Sequence, residues 1–377
     1  MTETVVVGMS GGVDSSVAAA LLVEQGYRVI GVTLRVWPWQ EAQDPVRRFG
    51  GCCSPEAVDD ARRVARQIGI PYYLLNSEKE FDSTVIADFT REYLSGRTPT
   101  PCVVCNRAVK FGSLLHRARA WEASAVATGH YARVDRDPGT GRIRLWRGLD
   151  PRKDQSYFLW PLAQSQLEGV RFPVGKMRKE EVRAKARALG LDVAEKPESQ
   201  EICFVPDDDY RGFLRRRTPQ GFSAGPILDS VGRVVGRHHG LANYTVGQRK
   251  GLGLSAGKPL YVVALDPERN AVIVGAEDDL GVSRLPATQV NFIAFPTPTG
   301  PIRVEAKIRS SHAGAPATVY PAEGGSIEVH FDTPQRAVTP GQSVVLYDGE
   351  QVIGGGIIGL APRSGISALA SQGKSGS

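Results

Sequence analysis

Two kinds of reactive group stand out in this 377-residue chain: a turn built to hold phosphate, and cysteines set in polar, Pro-rich surroundings. The turn is Gly8-Met9-Ser10-Gly11-Gly12-Val13-Asp14-Ser15-Ser16, between the apolar run Thr4 to Val7 and a helical stretch, Val17 to Leu22. Strand, Gly-rich turn and helix in that order make an anion site. Adjacent glycines let the backbone approach a ligand, and the N–H groups of the first helical turn point at its oxygens. Ser10, Ser15 and Ser16 add hydroxyl donors. The stretch has no Lys where GxxxxGK[ST] requires one, so it is not a Walker A loop. A plain Gly-rich strand-to-helix turn is the alternative.

The cysteines number five, with Cys52 and Cys53 adjacent, which is no disulfide framework and points instead to metal or redox chemistry. Cys102 and Cys105 fall in Thr98-Pro99-Thr100-Pro101-Cys102-Val103-Val104-Cys105-Asn106-Arg107. The two prolines are expected to keep this segment out of helix, and Asn106 to cap a helix reaching about Ala120. Cys105 then sits just before a helix N-terminus, where the dipole favours thiolate. The CxxC spacing of Cys102 and Cys105 is also that of a zinc half-site, which Cys52 and Cys53 could complete. Cys203 lies in the polar, Pro-started loop Lys196 to Phe204 and is read as reactive rather than buried and inert.

These groups need a scaffold, and the apolar pattern supplies one. Tyr27 to Leu34 and Tyr72 to Leu75 read as strands, with helices over Glu56 to Ile68 and Phe81 to Leu94. Ser54-Pro55 is a good helix start and Gly69 a stop. A fourth strand, Ser124 to Thr128, ends in Gly129-His130-Tyr131. The alternation predicts βαβ units and a doubly wound parallel sheet, with nucleotide beyond the carboxyl ends of the strands. Ala132 to Asp135 and Ile143 to Arg147 form a hairpin. Lys153-Asp154-Gln155-Ser156-Tyr157-Phe158-Leu159-Trp160 reads as a core strand with a polar start, or as phosphate contacts beside a nucleic acid.

Met177 to Leu189 is a very basic helix whose glutamates partly offset its charge. From Asp207 the texture changes, with Arg211, Arg215, Arg216, Arg217, Arg233, Arg237, Arg249 and Lys250 among many glycines. Beyond about Pro286, short alternating runs split by Gly, Pro and Asp predict a small antiparallel β-barrel or sandwich. The expected division is a nucleotide-binding catalytic domain over 1–206, a basic domain over 207–284, a β-barrel over 285–361 and a disordered tail over 362–377. Net charge is +6, modest for this length, so its placement says more than its size. Apolar runs fall far short of a membrane span, and no signal-peptide pattern precedes the first strand, so a cytoplasmic protein is expected.

Ser10-Gly11-Gly12-Val13-Asp14-Ser15 resembles the SGGxDS loop of the PP-loop ATP pyrophosphatases, which cleave ATP between the α and β phosphates. Taken with Pro-x-Pro-x-x-x-Cys-Asn, Gly-His-Tyr-Ala, Lys-Asp-Gln-Ser-Tyr-Phe and Ser-Gln-Glu-Ile-Cys-Phe, the chain from about Thr4 to Ala361 resembles the bacterial tRNA-specific 2-thiouridylases. The resemblance implies ATP-dependent adenylation of the wobble uridine O2 in the tRNAs for Glu, Gln and Lys, followed by sulfur transfer from a persulfide. It implies that Gly8, Met9, Ser10, Gly11, Gly12, Val13, Asp14 and Ser15 hold ATP phosphates, with Leu34 and Gly129 lining the adenosine. Cys203 matches the persulfide carrier, and Cys105 the second catalytic cysteine, which acts on that persulfide or resolves it through a Cys105–Cys203 disulfide. Thr100, Pro101 and Cys102 match the strip that touches the target base. His130, Lys153, Asp154, Gln155, Arg309, Ser310 and Gln342 match tRNA contacts.

Some members carry an Asp, a proposed general base, where this chain has Cys102. The chain also departs at Ser310, where many relatives have an aromatic. A persulfide donor such as a cysteine desulfurase or sulfur-relay protein is the implied partner, and Mg²⁺ is expected to arrive with ATP. Two other readings follow from the same residues. An iron–sulfur cluster on Cys102, Cys105 and Cys203 would make the thiolation cluster-dependent. A non-catalytic tRNA-binding protein would have no use for an intact SGGVDS loop.

Overall fold

A computed structural model describes residues 2–38, 54–197, 202–205, 209–254 and 257–360. Cys52, Cys53 and the expected tail over 362–377 lie outside the described residues.

The first sheet is parallel throughout and runs Tyr72–Asn76, Arg28–Arg35, Thr4–Gly8, Ala125–Thr128, Val170–Arg171. Its central strand reads Thr-Val-Val-Val-Gly with valines on both faces, as a strand covered on both sides must. Val5 and Val7 pack towards helices Val13–Glu24 and Pro55–Gln67, and Val6 packs towards Phe111, Leu114 and Trp160. Ser54 caps the second helix by accepting from the Ala57 N–H at 3.2 Å. The strand order reverses at Thr4–Gly8, so the turn after it and the turn after Ala125–Thr128 open side by side at one edge.

Two expectations need correction. Prolines 99 and 101 do not exclude helix: Pro101 opens the helix Pro101–Cys105, which continues through a π-type stretch, Asn106–Ser113, into Leu114–Arg119. Proline is tolerated at a first helical position, where its missing N–H would have had no partner. Asn106 is therefore inside the helix rather than its cap, and its Nδ2 donates to Phe158 O at 3.1 Å. The run Lys153 to Trp160 is not a strand either. Asp154 accepts from the Gly148 and Ser156 N–H groups, each at 3.0 Å, and this winds Ser156–Phe158 into a 3₁₀ turn.

Downstream, Tyr261–Asp266, Ala271–Gly275, Ala224–Leu228 and Val234–His239 form a four-stranded sheet. The C-terminal strands Gly281–Phe292, Ile327–Arg336, Ala315–Pro321, Ile302–Lys307, Ser343–Asp348 and Gln351–Ile358 are antiparallel and close on themselves, the first pairing with the last. The sheet does not stop there. Hairpin Ala132–Arg136/Ile143–Arg147 adds to it through Gln351↔Trp146 and Val352↔Leu145. Buried Trp160 donates to Ser343 Oγ at 3.0 Å, and Tyr157 to Ser343 O at 2.8 Å, so the barrel and the nucleotide-type sheet share one core.

Candidate functional site

The glycine turn is built from its own atoms. Ser15 Oγ donates to Gly12 O at 3.1 Å and accepts from the Ser10 N–H at 3.1 Å, while Ser16 Oγ donates to Gly12 O at 2.9 Å. Gly12 is the N-cap of helix Val13–Glu24 and offers no side chain to the N–H groups of the first turn. Gly11 has φ +68°, and a Cβ there would meet Ala57 O at 2.1 Å. Gly129, from the neighbouring strand end, lies so close that a Cβ would meet Ser15 N at 2.6 Å and the Asp14 carbonyl carbon at 2.7 Å. The result is a helix N-terminus with exposed donors, walled by glycine.

Two lysines reach this turn, Lys179 from the segment read as a basic helix and Lys196 from the start of the loop read as polar. Lys179 Nζ lies 2.8 Å from both carboxylate oxygens of Asp14, and Tyr131 OH donates to Asp14 Oδ1 at 2.7 Å. Lys196 Nζ donates to Gly11 O at 3.1 Å and pairs with Asp60. Sequence reasoning missed both, because neither a lysine among other basic residues (Lys179) nor one in a polar loop (Lys196) carries a local sign of pointing inward. The signal that existed for Lys179 is its spacing: Lys179, Val182 and Ala186 share the helix face that is buried.

Leu34 ends the strand beside the turn and packs at the junction of two apolar clusters. His130 is buried between Phe111 and Phe172, ring centroids 5.8 and 6.0 Å away, and its Nδ1 shares a 2.6 Å hydrogen bond with Thr128 Oγ1. Burial, aided by the Lys110 charge, pushes its pKa well below the ordinary histidine range. A neutral imidazole at 8% exposure, held this way, supports the strand end next to the turn.

The cysteines occupy one neighbourhood. Cys105 and Cys203, both partly buried, pack against the same cluster of Phe81, Phe89, Phe204 and Phe213, and Leu34 packs there too. Cys105 lies one turn inside the continuous helix that Pro101 opens rather than preceding it, while Cys102, exposed, occupies the first turn. Among the described residues no three His, Cys, Asp or Glu side chains gather to hold a metal ion. Beside them, the Thr100 hydroxyl is buried without a hydrogen-bond partner, an arrangement that costs about 1–3 kcal/mol until something pairs with it.

Of the remaining residues, Asp154 and Gln155 hold backbone. Gln155 Oε1 accepts from the Tyr131 N–H at 2.9 Å, and Asp154 is committed to its turn, so only Lys153 of the three brings a cation. Ser310 is exposed, and Arg309 donates to Arg336 O at 3.4 Å. Gln342 Nε2 donates to Thr98 O at 2.9 Å and Pro99 O at 3.3 Å. The arrangement joins an anion-binding turn, two thiols on an apolar floor and a buried, unpaired hydroxyl. Such a set can hold a triphosphate, shield a reactive intermediate from water and move sulfur.

Family models match residues 3–207, described as tRNA methyl transferase HUP domain, 211–276, as tRNA methyl transferase PRC-barrel domain, and 282–358, as aminomethyltransferase beta-barrel domain. The tRNA-specific 2-thiouridylase MnmA of Heliobacterium modesticaldum is 54% identical over 95% of this chain and 93% of its own length. That of Acetivibrio thermocellus is 52% identical over 94% of this chain and 99% of its own. That of Moorella thermoacetica is 54% identical over 93% and 98%. A solved 4-thiouridine synthetase–RNA complex with bound ATP covers 58% of this chain and 51% of its own at 18% identity and a TM-score of 0.36, too distant to argue from.

Proposed function

The chain belongs to the tRNA-specific 2-thiouridylase family, and from that membership we propose how its own residues thiolate the wobble uridine of tRNA with ATP. The reaction has two parts. A carbonyl-type oxygen is a poor leaving group, so uridine O2 first attacks the α-phosphate and pyrophosphate leaves. Sulfur then attacks C2 and AMP leaves.

The N–H groups from Gly11 to Ser15 hold the phosphates, and Leu34 and Gly129 border the adenosine. Lys179 keeps Asp14 turned aside, and Lys196 braces Gly11. Mg²⁺ would arrive on the ATP phosphates and, bound there, would supply charge neutralisation for the leaving pyrophosphate. Thr100, Pro101 and Cys102 meet the base. The terminal sulfur of a Cys203 persulfide bonds to C2. Cys105 thiolate then attacks Cys203 Sγ, breaking the S–S bond, so that the sulfur stays on the uridine and a Cys105–Cys203 disulfide forms for a thiol reductant to reopen. The apolar floor beneath both cysteines keeps water from the adenylate. Lys153, Arg309 and the arginines of Tyr210–Arg217 hold tRNA phosphates while the base is splayed out. A cytoplasmic persulfide donor loads Cys203.

The observation that carries this reading is that Cys105 and Cys203, far apart in the chain, pack on one cluster together with Leu34 from the strand beside the phosphate turn. The test is anaerobic purification, measurement of iron, and an assay of wobble-uridine tRNA thiolation with ATP and a persulfide donor. Turnover by iron-free protein, lost in Cys105→Ala and Cys203→Ala, is the expected result. Activity that tracks iron content would replace sulfur carriage by a cluster.

A further inference from the structure

We propose that the barrel turn Pro340–Gln342 is the positioning element for the strip Thr98–Cys102, with Gln342 acting through Thr98 and Pro99 on the residues that meet the target base. The inference deepens the function proposed above and rests on it for the identity of the base.

The turn is fixed from behind. Gly341 N–H donates to Ile358 O at 2.9 Å, and the Ile358 N–H donates to Gln342 O at 2.8 Å, so the backbone of Gln342 belongs to the last barrel strand. In front, it grips the strip. The Thr98 N–H donates to Pro340 O at 2.8 Å, and Gln342 Nε2 holds the Thr98 and Pro99 carbonyls. Gly341 sits at φ +91°, and a Cβ there would meet Thr98 N at 2.9 Å and Thr98 O at 3.0 Å. The four-stranded sheet's region adds one more contact, Thr98 Oγ1 to Thr245 Oγ1 at 3.5 Å.

What this grip sets is the start of the helix Pro101–Cys105. Thr100 is its N-cap and uses no side-chain hydrogen bond for capping, so the helix start is placed by the backbone before it. A strip of Thr98-Pro99-Thr100-Pro101 has two fixed φ angles and little freedom to absorb a shift. Displacement at Thr98 is therefore passed to Thr100, whose buried hydroxyl lacks a partner, and to exposed Cys102. Gln342 is a positioning residue: it commits its amide nitrogen to the Thr98 and Pro99 carbonyls.

The experiment compares Gln342→Ala, Gln342→Glu and Gly341→Ala with wild type in the full chain, after checking that each melts cooperatively. The first readout is the alkylation rate of Cys102 without tRNA or ATP; the second is single-turnover thiolation beside tRNA affinity. Expected are faster Cys102 alkylation in all three variants and a thiolation rate at saturating tRNA lowered about tenfold, the worth of one or two lost hydrogen bonds. Unchanged alkylation and rate would overturn the proposal. Weaker tRNA binding with unchanged alkylation would overturn it in favour of a direct RNA contact. Wild-type protein that fails to thiolate would remove the proposed function, while the alkylation comparison would still decide whether the turn positions the strip.

Discussion

Lys179 and Asp14 meet across most of the N-terminal region, with Nζ 2.8 Å from each carboxylate oxygen and the lysine side chain 7% exposed. Asp14 stands in the first turn of the helix that receives phosphate, where a carboxylate pointing forward would repel the ligand. The lysine and the Tyr131 hydroxyl hold it to the side.

Removing the lysine alone leaves the carboxylate without its counter-charge. Lys179→Met is expected to cost about 3 kcal/mol of stability, the usual result of breaking a mostly buried pair from one side, and to slow tRNA-dependent pyrophosphate release. Urea denaturation and a pyrophosphate assay check it. Lys179→Arg, which keeps the charge, is expected to fall between. A stability equal to wild type in Lys179→Met would mean that Asp14 does not depend on the pair.

Gly129 faces Ser15 and Asp14 with no room for a methyl group. Gly129→Ala is expected to push back the first turn of the phosphate helix and to lower ATP use by more than about tenfold, as loss of alignment at a reacting group does. Thermal stability should change far less than activity. ATP titration of pyrophosphate release separates this outcome from simple unfolding, and a normal rate at saturating ATP would count against the wall that Gly129 forms.

The phosphate turn was legible because strand, glycines and helix are local features, and the parallel order of the first sheet followed from their spacing. The helix at Pro101 was not. Proline carries opposite meanings at a first helical position and inside a helix, and only the backbone distinguishes them. The Lys153 to Trp160 run looked like a strand because apolar residues follow charged ones, yet Asp154 accepts two backbone N–H groups and curls it. The Asp14–Lys179 pair and the grip of Gln342 on Thr98 join distant parts of the chain, and neither end announces the other.

Phe204 follows Cys203 and is 1% exposed. Its ring meets Phe89 at 5.1 Å, Phe213 at 5.5 Å and Phe81 at 5.6 Å, each from a different turn or helix. It is the anchor that keeps Cys203, the proposed persulfide carrier, on the apolar floor. Phe204→Ala is expected to cost about 3–4 kcal/mol through the cavity it leaves. Thiolation should fall steeply at a temperature where the fold holds, while pyrophosphate release continues. Phe204→Leu should recover most of both. Equal loss of the two activities in Phe204→Ala would point to general collapse instead.

His238 shows how acid should act on the four-stranded sheet. Its ring is fully buried, Nδ1 accepts from the Gly240 N–H at 3.1 Å, and Nε2–H donates to Asn270 O at 2.8 Å. Both nitrogens are satisfied only in the neutral form, since a proton on Nδ1 would meet the Gly240 N–H head on. Burial is the main cause that lowers its pKa below 6.5, with Asn270 O opposing and the His239 and Arg237 charges assisting. The folded state then binds fewer protons than the unfolded chain near and below pH 6.5, so the stability this group contributes is complete above that value. It is lost as pH falls through the depressed folded value. The melting temperature of the wild type should drop between pH 7.5 and 5 by more than that of His238→Gln, which has no proton to gain. Parallel curves for the two proteins would show that His238 does not govern acid sensitivity here.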